Sequence, residues 1–76
     1  MKFYIKHSMT GRLRVHMDMK HMSFKQADIL EYYIKNIETV TSVKVYEKTC
    51  DAVIEFKGDK AQIINELKHF TYSQVV

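Results

Sequence analysis

Apolar side chains recur at every second position near the N-terminus, at Phe3 and Ile5 and then at Leu13, Val15 and Met17. A period of two belongs to a strand, and it lapses around Gly11, so this stretch reads as a strand pair or as one long strand interrupted near Gly11. The period then lengthens. Ser23, with Gln26 three residues on, has the form of a capping box, and Phe24, Ala27, Leu30, Ile34 and Ile37 repeat at helical spacing. That predicts a helix from about Phe24 to Asn36. Alternation returns at Val43 and Val45 and again at Ala52, Ile54 and Phe56, with a turn at Lys48-Thr49-Cys50-Asp51 between them, which predicts a hairpin. Gly58 ends that pattern and Asp59 is placed to cap a second helix, whose stripe is Ala61, Ile64 and Leu67 and whose end falls near His69. Tyr72 to Val76 is expected to form a last strand.

The order strand, helix, strand, strand, helix, strand predicts an α+β fold, the ferredoxin-like βαββαβ sandwich, in which two helices cover one face of a four-stranded antiparallel sheet. On this arrangement Leu13, Val15, Met17, Val43, Val45, Ala52, Ile54 and Phe56 face the helices, where Leu30, Ile34, Ile64 and Leu67 meet them. Arg12, Arg14, His16, Lys44, Tyr46, Val53 and Glu55 line the open face, because successive side chains alternate across a strand.

Composition narrows the function. A chain of 76 residues with 46% hydrophobic content makes one domain, residues 1–76, with a modest core and little surface for a deep cleft. A binding or regulatory module is expected rather than an enzyme, and no Ser/His/Asp set, phosphate-cradling glycine loop or acid/base carboxylate pair can be assembled. Asp18 and Glu55 read as surface charges. No apolar run reaches the roughly 20 residues that span a bilayer, and the N-terminus lacks a secretory hydrophobic region, so a cytoplasmic setting is expected. The lone Cys50 cannot pair internally, which suits a reducing compartment, and in a hairpin turn it is expected to be exposed. A formal charge of +3 with Lys and Glu interspersed does not argue for nucleic acid.

Two groups of side chains carry candidate chemistry. His7, His16, Met19, His21 and Met22 offer imidazole and thioether donors, the ligand types that suit a soft transition-metal ion, and His16, Met19, His21 and Met22 converge if the loop after the first strand folds back. Packing is the competing reading: Met17 has core parity, Met22 precedes a helix cap as a staple residue does, and His7 is either a ligand or a hydrogen-bond partner of the backbone near Gly11. Arg12 and Arg14 form the second group. They share one face of a strand about 7 Å apart, a spacing that presents two guanidinium groups to carboxylates or phosphates. The alternative is internal pairing with Glu55 on a neighbouring strand.

The run His7-Ser8-Met9-Thr10-Gly11-Arg12-Leu13-Arg14-Val15, followed by a helix and by the Val40-Thr41-Ser42-Val43-Lys44-Val45 strand, resembles the cysteine-free branch of the heavy-metal-associated domains. Members of that branch carry a His, three residues and then Gly-Arg-hydrophobic-Arg, often with proline before the glycine, where this chain has Thr10. The resemblance covers roughly residues 5 to 70. It implies the cytosolic N-terminal regulatory or metal-sensing domain of a P-type metal-transporting ATPase, a group that includes pumps linked to iron. Gly11, Arg12 and Arg14 would then contact other cytosolic domains of the same pump, and the membrane would be reached only through the parent chain. The Cys-x-x-Cys of copper-binding relatives is absent, so their two-thiolate site is not implied. Two alternatives share the element order. One is a free-standing metal-binding carrier, and the other is an RNA-binding module, against which stand the core parity of Phe56 and the isolation of Tyr46 on the open face.

Overall fold

A computed structural model describes residues 1–72. Thr10 and Gly11 make a two-residue turn between β1 (Phe3–Met9) and β2 (Arg12–Met17), so the N-terminal alternation is a hairpin rather than one interrupted strand. Gly11 sits at φ +78, a conformation that costs a side-chain-bearing residue strain, and its carbonyl accepts the Phe56 amide at 3.0 Å. The capping box is formed in full. Ser23 Oγ accepts from the Gln26 amide at 3.0 Å and Gln26 Oε1 accepts from the Ser23 amide at 2.9 Å, which starts α1 (Phe24–Lys35).

Phe24 corrects the expected stripe, for it is 75% exposed. At 100° per residue it lies about 90° from the centre of the buried Ala27, Leu30 and Ile34 arc, so it faces solvent at the start of the helix. The strands β3 (Val40–Tyr46) and β4 (Asp51–Phe56) form the expected hairpin, and Asp59 Oδ1 accepts the Ala61 amide at 2.9 Å at the start of α2 (Ala61–His69). The buried stripe of α2 is Ile63 and Leu67, continued by Phe70 just past its end; Ile64 is only half-buried and Ala61 is exposed. Tyr33 from α1 fixes the two helices together, its ring 4.7 Å from that of Phe70 and its hydroxyl donating to Glu66 Oε2 at 2.9 Å.

The architecture is the expected ferredoxin-like α+β arrangement, a four-stranded antiparallel sheet with two helices. The strand order is β1-β2-β4-β3, and β2 and β3, both antiparallel to β4, run parallel to each other with α1 as their crossover. The edge beside β2 is held by β1, the N-terminal arm of the first hairpin. The last strand expected at Tyr72 to Val76 lies outside the described residues except for Tyr72, whose ring stands edge-on to Phe70 at 4.9 Å. Leu13, Val15, Met17, Leu30, Ile34, Ala52, Ile54, Ile63, Leu67 and Phe70 have no accessible surface and make up the core, with Val45 half-buried at its margin.

Cys50 is buried, not exposed as a turn position suggests. It adopts φ +59, which bends the chain back into the sheet so that its carbonyl accepts the Met17 amide at 2.8 Å while the thiol turns inward. Burial, and after it the neighbouring Asp51 carboxylate, push the thiol pKa above its ordinary value.

Candidate functional site

With the core on the helix side, the opposite face of the sheet is built from the alternate residues of four strands. Arg12, Arg14 and His16 come from β2, Val53 and Glu55 from β4, and Lys44 and Tyr46 from β3, as the alternation predicts. What β1 adds depends on an irregularity. Ile5 pairs with Val15 and His7 with Arg14, so Lys6 is an extra residue, a bulge. Without it, His7 would fall on the helix side. With it, Lys6 and His7 both reach the open face, followed by Met9 opposite Arg12, because a bulge advances the side-chain phase by one residue.

Asp51 organises this face. Its register partners are His16 on one side and Tyr46 on the other, and its side chain has no accessible surface. Three cationic or imidazole groups cover it: His16 Nδ1 donates to Oδ1 at 2.8 Å, Arg14 donates to Oδ2 through Nη2 at 2.9 Å and Nε at 3.3 Å, and Lys6 Nζ donates to Oδ2 at 3.3 Å. Burial by itself would raise the Asp51 pKa, but the hydrogen bonds from His16, Arg14 and Lys6 outweigh it and hold the carboxyl at about 2. The acid is therefore fully ionised at neutral pH. Tyr4, the register partner of His16 on β1, places its ring nearly parallel to the imidazole, with centroids 6.4 Å and ring planes 17° apart.

Arg14 thus pairs internally, though with Asp51 and not with the Glu55 considered from the sequence. Arg12 stands opposite Glu55 in register, yet no salt bridge joins them, and among the described residues the Arg12 side chain has no hydrogen-bond partner. Between β1 and β2 lies a shallow depression of about 570 Å³ lined by Lys6, His7, Met9, Arg12, Arg14 and Val53. No acidic side chain lines it. His7 Nε2 approaches Met9 Sδ at 3.3 Å along its rim.

The candidate metal donors are distributed differently from the convergence considered above. His16 is held on the open face by Asp51, whereas Met22 is buried in the core and Met19 packs against that core, with its sulfur 4.0 Å from the Tyr72 hydroxyl. His21 is exposed on the connection into α1, and His7 is on the open face. The structure therefore does not bring His16 and Met22 together, and among the described residues no three His, Cys, Asp or Glu side chains form a group able to hold a metal ion. Met17 is core, as its parity indicated. Gly11 shapes the turn that begins β2 and so sets where Arg12 starts.

Sequence reasoning missed Asp51 and Lys6. Asp51 was read as part of a turn, although it stands two residues before Val53 and shares its parity. The pairing of Lys6 needs both the sheet order and the bulge, and neither is written in local periodicity. Comparison with family models, with curated proteins and with solved structures finds no match, so the reading of this site rests on its own geometry.

Proposed function

We propose that the domain acts by contact, as a regulatory docking module whose working surface is the open sheet face around Arg12 and Arg14, and that its host is a P-type metal-transporting ATPase. The observation that carries the contact reading is the guanidinium of Arg12, which has no partner among the described residues and is set beside Arg14 and Lys6 in a depression they line without a carboxylate. Arginine held on a rigid strand is suited to bidentate capture of a partner's anionic groups. Support for the host comes from the His7 to Val15 resemblance alone. Contact is favoured over metal capture because three cationic heads surround His7 and Met9, and a nearby positive charge opposes cation binding.

The test is association of the domain with the other cytosolic domains of its host, measured for the wild type and for Arg12→Ala. The wild type should bind in a salt-sensitive manner, and Arg12→Ala should weaken binding at least about tenfold, as expected for one lost charge-assisted contact of about 1.5 to 3 kcal/mol. Equal affinity of the two proteins overturns the reading.

A further inference from the structure

We infer that the depression between β1 and β2 receives a phosphate monoester, carried as a phosphorylated side chain on a partner polypeptide. This deepens the docking reading above and rests on it.

Charge favours a dianion. Lys6, Arg12 and Arg14 bring three positive charges to the depression, and the buried Asp51 beneath Lys6 and Arg14 offsets one of them. A surplus of two remains. Glu55, opposite Arg12 in register but not salt-bridged to it, and Lys44 lie on the same face outside the lining, so the surplus of two is that of the lining itself. A phosphate monoester carries close to two negative charges at neutral pH and presents three acceptor oxygens, whereas a carboxylate supplies one charge and two oxygens. Three cationic heads from separate positions match the former.

The unspent donors favour the same ligand. Arg14 spends Nε and Nη2 on Asp51, which fixes the plane of its guanidinium and leaves Nη1 unspent. Arg12 keeps all its donors, and Lys6 keeps two of its three. The bulge lets Lys6 and His7 follow one another on the side that carries both arginines. Asp51 therefore acts as a positioning residue: it takes two of the five N–H donors of Arg14 and one of the three of Lys6, and aims the rest.

The lining favours a polypeptide carrier. The depression is shallow and no aromatic ring lines it, so a nucleotide base has nothing to stack on there. Tyr4 and Tyr46 are exposed on the same face but outside the lining, Tyr4 with its ring centroid 6.4 Å from that of His16 and Tyr46 with Lys44 Nζ 5.5 Å from its centroid. A polypeptide crossing the sheet gains contact from exposed Met9 and from these tyrosine edges, which a free phosphate cannot use.

The experiment titrates the full ¹⁵N-labelled chain at fixed ionic strength with four probes: a short phosphoserine peptide, the same peptide with glutamate at that position, AMP and inorganic phosphate. The phosphopeptide should move the amides of Lys6, His7, Arg12 and Arg14 and bind at least tenfold more tightly than each other probe. Arg12→Ala should abolish that preference while leaving core resonances in place. Equal binding of the glutamate peptide overturns the phosphate assignment and leaves the docking reading standing. AMP or inorganic phosphate binding as tightly as the phosphopeptide overturns the polypeptide carrier. If no probe binds while Arg12→Ala still weakens host association, only the present inference falls; if host association is also unchanged, both fall.

Discussion

Replacing Asp51 with Asn keeps the shape of the side chain and removes its charge, which isolates the electrostatic part of the open-face cluster. The carboxyl is fully buried and held at about 2 from an ordinary 3.8, and at about 1.36 kcal/mol per pKa unit this gives about 2.5 kcal/mol of stabilisation at neutral pH. The partners temper any larger figure. Lys6, Arg14 and His16 are 49%, 45% and 36% exposed and recover hydration once released, so three charge-assisted hydrogen bonds do not add at full value. Asp51→Asn should therefore cost about 2 to 3 kcal/mol in urea unfolding at pH 7, equivalent to a fall in Tm of about 10 to 20 °C for a domain of this size. The sign with pH follows from a folded-state pKa depressed below the unfolded one. The contribution is complete above about pH 5 and fades as pH falls towards 2, where it is below about 0.5 kcal/mol. Wild type and variant should converge in acid. A variant within 0.5 kcal/mol of wild type at pH 7, or a penalty of the same size at pH 2, would refute the assignment of Asp51 as an ionised anchor.

Three further outcomes follow from the same geometry. Ile54→Ala, at a position with no accessible surface between β2 and β3, should cost about 2 to 5 kcal/mol by denaturant titration, and a change under 1 kcal/mol would show the core wrongly assigned. The two arginines should separate in stability: Arg12→Ala should change it by less than about 0.5 kcal/mol, while Arg14→Ala, which strips two hydrogen bonds from a buried carboxylate, should cost about 1 to 2 kcal/mol, discounted for its exposure. Equal effects would mean that the Asp51 pairing is not formed in solution. Cys50, buried and raised in pKa, should resist a disulfide exchange reagent at pH 8 until urea unfolds the chain, and rapid native-state labelling would place the thiol outside the core.

Strand faces were legible because a period of two maps directly onto geometry. The open-face set Arg12, Arg14, His16, Lys44, Tyr46, Val53 and Glu55 and the capping box at Ser23 were readable for that reason. Helix stripes were less so. A one-residue ambiguity moved the buried face of α2 from Ile64 to Ile63, since two adjacent isoleucines fit neighbouring phases and only Phe70, beyond the helix, decides between them. Cys50 and Asp51 were misplaced for a shared reason. A hairpin turn and the strand after it look alike in polarity, and the left-handed residue that ends the turn has no signature unless it is glycine. The candidate site was legible only through its arginines; its buried acid lies 37 residues from Arg14, a separation that no local pattern spans.

The extra residue in β1 means that this strand is written in two frames, as a gene is after an insertion. From the turn back to His7 the side chains are phased to β2 in one sense, and from Ile5 back to Phe3 in the other, with Lys6 as the point where the phase slips. Deleting that one residue would leave the hairpin turn and the partners of both halves in place, Ile5 still opposite Val15 and His7 opposite Arg14, and would restore simple alternation while taking the Lys6 ammonium away from Asp51. The extra residue therefore sets no side-chain face upstream; what it adds is one more cation beside Asp51. A homologous chain without a residue in that place would align across β1 with a single gap there and the same polar and apolar positions upstream.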